Sequence, residues 1–177
     1  LGASPTFGPA PTDTALPTAA GYADIFIARY NPDGTLTWAK SAGGTDGDGG
    51  CGITTLSDDS TVAAGTFGGS ATFGPGEPNE TVLTSAPAYT EIFIARYNPD
   101  GTLTWAKSAG GTLTDVGVAI TTLSDDSTVA AGFFVGSATF GPGEPTETVL
   151  TSAGGGDKSI ASRNHCGATA SGARRCA

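Results

Sequence analysis

The feature that most constrains the fold is an internal repeat of 67 residues. Residues 24–90 and 91–157 are identical at 54 of their 67 positions, so chance cannot explain the match. Self-similarity at a fixed period is typical of stacked or radial architectures, in which each repeat buries its apolar surface against a neighbour. We therefore predict a repeat protein.

The repeat also predicts the organisation of the whole chain. At the N-terminus, Thr6-Phe7-Gly8-Pro9 resembles the segment around Phe73, so the chain begins within a repeat. Near the C-terminus, Asp157, Ile160 and Asn164 keep the spacing of Asp24, Ile27 and Asn31. The predicted parts are the C-terminal part of a repeat (1–23), two full repeats (24–90 and 91–156) and a degenerate N-terminal part or tail (157–177).

The sequence within one repeat predicts short antiparallel strands. Asp24–Tyr30 is rich in β-branched and aromatic residues, and both of its faces are apolar, which predicts a strand covered on both sides. Asn31-Pro32-Asp33-Gly34 has the residues of a tight turn, and a strand carrying Trp38 follows it. Further strand pairs are predicted at 52–56 and 61–66, and at 71–73 and 81–85.

We therefore predict an all-β fold of tandem antiparallel β-sheet blades of about 67 residues, propeller-like, open, and completed between chains. The abundance of glycine, with 28 residues, suits tight turns and argues against helices. A β-solenoid is the main alternative and a β-sandwich is the third.

The string DIFIARYNPDGTLTWAKSAGG, followed by a Gly/Asp-rich loop and GITTLSDDSTVAAGTF, resembles the bacterial SBBP-type β-propeller repeats. The resemblance covers nearly the whole chain except its last twenty residues. It implies blade structure and a secreted or surface-attached location. The chain departs from that family in having too few repeats for a closed seven-bladed ring, and in the small residues Val62-Ala63-Ala64-Gly65.

The net charge limits the classes of partner. At −9 with a pI near 4.2, the chain lacks the basic surface that nucleic-acid phosphates and anionic membrane surfaces require. No segment is long and apolar enough for membrane insertion. The predicted partners are therefore other copies of the chain, in a homo-oligomer or filament, with glycans as a further candidate ligand.

Few residues are candidates for metal binding or modification. Asp46 and Asp48 resemble part of a Ca²⁺ loop, although Ca²⁺ needs six to eight oxygens and the sequence indicates no other cofactor. Asn79 begins an N-glycosylation acceptor sequence, Asn79-Glu80-Thr81. Cys166 and Cys176 could form a disulfide in an oxidising compartment. Cys51 is predicted to be a small buried residue.

No catalytic residue is predicted. The adjacent carboxylates Asp58 and Asp59 occupy a predicted turn and cannot face each other across a cleft, as glycoside hydrolysis requires. The single histidine, His165, lies in the degenerate C-terminal part, and no G-x-S-x-G motif is present. Four aromatic residues are candidates for sugar stacking or for the core: Trp38, Trp105, Tyr30 and Tyr97.

We therefore expect a non-enzymatic structural repeat protein that is extracellular or on the cell surface. The chain begins and ends within repeats, which predicts head-to-tail self-association through split blades into filaments. Two other interpretations are a fragment of a longer repeat array and a blade completed by both ends of the same chain. The alternative is a propeller-type binding module for a carbohydrate or protein ligand on a secreted or surface protein.

Overall fold

The computed structural model describes residues 6–7, 14–15 and 22–153, which form strands and turns without a helix. In this part of the chain there is consequently no helix that could span a bilayer. The strands are β1 (Thr6–Phe7), β2 (Thr14–Ala15), β3 (Ile25–Tyr30), β4 (Leu36–Ala42), β5 (Gly49–Thr55), β6 (Thr61–Gly68), β7 (Ser70–Phe73), β8 (Thr81–Thr84), β9 (Thr90–Tyr97), β10 (Leu103–Gly111), β11 (Asp115–Thr122), β12 (Thr128–Phe134), β13 (Ser137–Phe140) and β14 (Thr148–Thr151).

Side chains within the turns fix the hairpins. In the turn between β3 and β4, the Asp33 carboxylate accepts hydrogen bonds from the backbone N–H (2.9 Å) and hydroxyl (2.6 Å) of Thr35. Gly34 adopts a φ of 84°, a left-handed conformation that favours glycine. The turn between β9 and β10 repeats both features, with Asp100 bonded to Thr102. The predicted turn chemistry is therefore present in both repeats.

One sheet is complete and crosses the boundary between the two sequence repeats. It has six antiparallel strands in the order β14-β13-β10-β9-β6-β5. Strands β5 and β6 come from the first repeat, whereas β9, β10, β13 and β14 come from the second. Strand β6 pairs with β9 along eight positions, from Thr61 opposite Tyr97 to Gly68 opposite Thr90. We call this sheet the complete blade.

Two partial sheets flank the complete blade. The front half-blade contains β3 and β4, and a bridge between Gly43 and Thr72 joins it to the hairpin β7–β8. The rear half-blade is the hairpin β11–β12, which forms a separate two-stranded sheet. Each half-blade repeats one part of the complete blade, since β3 and β4 correspond to β9 and β10, and β11 and β12 correspond to β5 and β6.

The sheets stack closely on one another. Strand β11 lies against β5, where the hydroxyls of Thr54 and Thr122 are 2.8 Å apart. A side chain at Gly52 would come within 3.0 Å of the backbone nitrogen of Ile120, so the two strands approach at backbone distance. Between the front half-blade and the complete blade, the Trp38 indole N–H donates to the Pro99 carbonyl at 2.9 Å.

The structure confirms the predicted all-β class of open, antiparallel, blade-like sheets. Two expectations about burial need correction. Strand β3 is covered on one side only, because Ile25 and Ile27 are buried while Phe26 and Tyr30 are exposed. Cys51 is half-buried on β5, since it lies at a position where the sheet is only partly covered.

Candidate interaction surfaces

The proposed calcium residues lie in the loop between β4 and β5, and they differ in environment. Asp48 is buried, and its two carboxylate oxygens accept hydrogen bonds from the backbone N–H groups of Gly44 (2.8 Å) and Gly68 (3.1 Å). Asp46 is exposed. The Asp48 carboxylate therefore joins the start of the loop to the end of β6.

Asp115 has the same role in the second repeat, and the sequence analysis did not predict this role. It is fully buried and accepts hydrogen bonds from the N–H groups of Gly111 (2.8 Å) and Val135 (3.1 Å). Burial raises the pKa of Asp48 and of Asp115, and for Asp48 the negative charges of Asp24 and Asp46 add to the rise. The signal was available, because Asp48 and Asp115 occupy the same position of the repeat.

No group of three or more His, Cys, Asp or Glu side chains that could hold a metal ion occurs in the described ranges. Asn79 is exposed in the turn between β7 and β8, and its side-chain N–H donates to the Leu103 carbonyl at 3.1 Å. Cys166 and Cys176 lie outside the described residues.

The four aromatic candidates for sugar stacking fall into different environments. Trp38 is buried against the turn that contains Pro99 and Gly101, and Tyr97 is buried in the core. Trp105 is half-buried. Tyr30 is exposed. The structure therefore places Trp38 and Tyr97 in packing roles, and it leaves Tyr30 as the accessible aromatic of the four.

Residues that are buried in the complete blade are exposed at the same repeat position in the half-blades. Val62 on β6 is 1% exposed, whereas Val129 on β12 is 50% exposed. Tyr97 on β9 is 1% exposed, whereas Tyr30 on β3 is 53% exposed. The sequence is the same at these positions, so the difference in burial comes from their surroundings. Strands β6 and β9 pair with each other and lie between two further sheets. Among the described residues, no strand pairs with the second edge of β3 or of β12.

The rear half-blade borders an apolar groove of about 540 Å³. Among the described residues, β11 is the strand that pairs with β12, and the other edge of β12 has no partner strand. An unpaired strand edge beside an apolar surface tends to pair with another strand. The groove is lined mostly by apolar side chains, including those of Ile92, Ala130, Ala131, Phe133, Phe140 and Leu150.

A charged contact accompanies strand pairing in the complete blade. The Arg96 guanidinium of β9 lies 2.7 Å from the Asp58 carboxylate, in the turn before β6, and it also donates to the Ser60 hydroxyl at 3.1 Å. Hydrogen bonds from Ser60, together with the Arg96 charge, lower the pKa of Asp58. The corresponding residues at the unpaired edges are Asp125, Ser127 and Arg29.

Comparison with known proteins gives one family match. Residues 16–36 match the family described as "Domain of unknown function (DUF5122) beta-propeller". The described part of this segment covers β3 and the turn that follows it. No curated protein matches the chain. The family match and the open, blade-like sheets together support a β-propeller-like repeat protein.

Proposed function

We propose that this protein is a non-enzymatic structural repeat protein of the cell exterior that self-associates head to tail through split blades. The supporting observation is the contrast in burial between equivalent residues. Val129 of the rear half-blade and Tyr30 of the front half-blade are exposed, although their counterparts in the complete blade are buried. Each half-blade thus exposes residues that become buried when strands of both kinds are combined, as they are in the complete blade.

The two surfaces differ, so the contact between chains would be heterologous. A heterologous contact produces a closed ring when its rotation closes and a filament when it does not. Strand addition to a sheet edge supplies the attraction, because backbone hydrogen bonds and apolar side chains are both satisfied by the incoming strand. The function that follows is architectural, since repeated copies build an extended or closed assembly.

Self-association is tested by measuring mass as a function of concentration. Static light scattering of the purified chain should give a mass that rises above 17.4 kDa with concentration, and negative-stain electron microscopy should show filaments or rings. A mass that stays at that of one chain across micromolar to millimolar concentration would contradict the proposal.

The extracellular location follows from the resemblance to secreted and surface-attached repeats. It is tested by treating intact source cells with a protease and following the protein with an antibody. Loss of the protein from intact cells, with a cytosolic marker retained, supports an external location. Protection until the cells are lysed would contradict it.

A second candidate function is a binding module. A cleft of about 310 Å³ between the front half-blade and the hairpin β5–β6 is lined by Tyr30, Arg29 and Asp59 among others. An exposed aromatic ring beside charged groups suits a carbohydrate ligand. A glycan array probed with the parent chain and with Tyr30→Ala tests this candidate, and Tyr89→Ala is the control at another exposed tyrosine. Glycan binding that Tyr30→Ala leaves intact would exclude this cleft.

A further inference from the structure

We infer that β12 of one chain pairs antiparallel with β3 of a second copy, in a register that places Ala130 opposite the second copy's Ala28. This inference rests on the proposed self-association and names the strands and the register that carry it. The occupant of the apolar groove beside β12 is therefore a second copy of this chain.

The pairing of β6 with β9 supplies the register. In the complete blade, Ala63 lies opposite Ala95 and Thr61 lies opposite Tyr97. Moving β6 forward by one repeat gives β12, and moving β9 back by one repeat gives β3. The same antiparallel pairing then places Ala130 opposite Ala28 and Thr128 opposite Tyr30.

The two strands keep the side chains that the pairing needs. From Thr61 to Gly65, β6 is identical to the corresponding part of β12, and from Ile92 to Tyr97, β9 is identical to β3. In the complete blade Ala63 and Ala95 are both buried, and so is Tyr97. Docking of a second copy would therefore bury the ring of its own Tyr30 and the side chain of Val129 in the first chain. Removal of this apolar surface from water stabilises the contact.

Residues 157–163 of the same chain fit the groove less well than β3 does. Their sequence follows the spacing of residues 91–97, but it has Lys158 in place of Ile92, Ser159 in place of Phe93 and Arg163 in place of Tyr97. Those three positions of β9 are buried in the complete blade. Burying a lysine and an arginine there without partners is strongly unfavourable. Strand β3 has the same residues as β9 at these three positions, so it would bury no unpaired charge there.

The charges at the two edges are also complementary. In the complete blade Arg96 pairs with Asp58 at 2.7 Å. The inferred register brings the second copy's Arg29 to the equivalent position beside Asp125. Arg29 now lies 3.7 Å from Asp59 and donates to the Pro99 carbonyl at 3.1 Å, with part of its side chain exposed. Each contact between chains would therefore repeat a contact that the chain already makes internally.

Cysteine cross-linking between two differently labelled chains tests the register. Both chains carry Cys51→Val, Cys166→Ser and Cys176→Ser, so that the introduced cysteines alone can react. One chain has Ala28→Cys and the other has Ala130→Cys, which places two Cβ atoms at directly opposite positions on the same face of the sheet. The control replaces Ala130→Cys by Ala131→Cys, because a shift of one residue moves the side chain to the other face.

The expected result is a disulfide-linked dimer on a non-reducing gel from the first mixture, with single chains remaining in the control. Light scattering of the same mixtures distinguishes a failure of the inferred register from a failure of self-association. A larger mass without preferential cross-linking at Ala130 would overturn the inferred register and leave self-association standing. A mass of one chain in every mixture would overturn both. Equal thermal midpoints of the variants show that all of them fold.

Discussion

The indole N–H of Trp38 donates a 2.9 Å hydrogen bond to the carbonyl of Pro99, which lies 61 residues later in the chain. Arg29 donates to the same carbonyl at 3.1 Å. The turn between β9 and β10 is thus held by two side chains of the neighbouring sheet. This contact therefore joins the front half-blade to the complete blade.

The turn glycines differ in what surrounds them, and a matched pair of variants measures the difference. Gly101 has a φ of 85°, and a side chain there would come within 2.7 Å of the Trp38 ring. Gly34 has a φ of 84° with no atom within 4 Å of such a side chain. We expect Gly101→Ala to lower the free energy of unfolding by about 1–3 kcal/mol more than Gly34→Ala, because overpacking adds to the backbone strain. Urea denaturation of both variants measures it. Equal losses would show that Trp38 moves aside freely.

The buried carboxylates are expected to be structural. Asp48→Asn replaces one acceptor oxygen by an N–H donor and leaves one of the N–H groups of Gly44 and Gly68 without its partner. We expect a loss of about 1–3 kcal/mol in the free energy of unfolding. The exposed neighbour Asp46 is the control, and Asp46→Asn should change stability by less than about 0.5 kcal/mol. Similar losses in both variants would argue for a shared role of the two carboxylates.

We also expect the stability loss caused by Asp48→Asn to depend on pH. Burial raises the pKa of Asp48, so this group contributes stability that is present at low pH and is lost as the pH rises through the raised pKa. Asn does not titrate. The destabilisation caused by Asp48→Asn should therefore be larger at pH 4 than at pH 7, measured by urea denaturation at each pH. A loss of unfolding free energy that grows as the pH rises would contradict the raised pKa of Asp48.

The exposed turn carboxylate of Asp58 is expected to change the stability with pH in the opposite direction. The Ser60 hydroxyl and N–H, together with the Arg96 charge, lower the pKa of Asp58. Its contribution is present above the unfolded pKa, about 3.9, and is lost as the pH falls through the lower folded pKa. The stability difference between the parent chain and Asp58→Asn should therefore shrink below about pH 4. Thermal midpoints across an acid titration measure it, and a constant difference would contradict the assignment.

A lysine at the unpaired edge should block assembly. Val129 is the exposed counterpart of Val62, and Val129→Lys would bury an ammonium group beside the second copy's Arg29 in the inferred contact. We expect the mass measured by light scattering to fall to that of one chain, because buried like charges repel and edge lysines oppose strand pairing. Val82→Lys, at an exposed position of β8, should assemble as the parent does. Assembly of both variants would place the contact elsewhere.

Local structure was predictable from the sequence, whereas the grouping of strands into sheets was not. The turn residues Asn31 to Gly34 and the β-branched and aromatic residues of Asp24–Tyr30 specify a hairpin, because these signals act within a few residues. The pairing of β6 with β9 depends on a contact across the inserted hairpin β7–β8, and no local signal reports it. The sequence indicates Asp48 as an acidic loop residue, but only the fold shows that two backbone N–H groups donate to its carboxylate oxygens.

The placement of the sheet boundary inside the repeat has a consequence for folding cooperativity. The complete blade takes β5 and β6 from one repeat and β9 and β10 from the next, so a single repeat of this sequence contains no complete blade. Unfolding one repeat therefore removes strands from two sheets, so the stability of each repeat depends on its neighbour. The smallest unit that can fold cooperatively is therefore a pair of adjacent repeats. Residues 22–153 should lose their structure in a single unfolding transition.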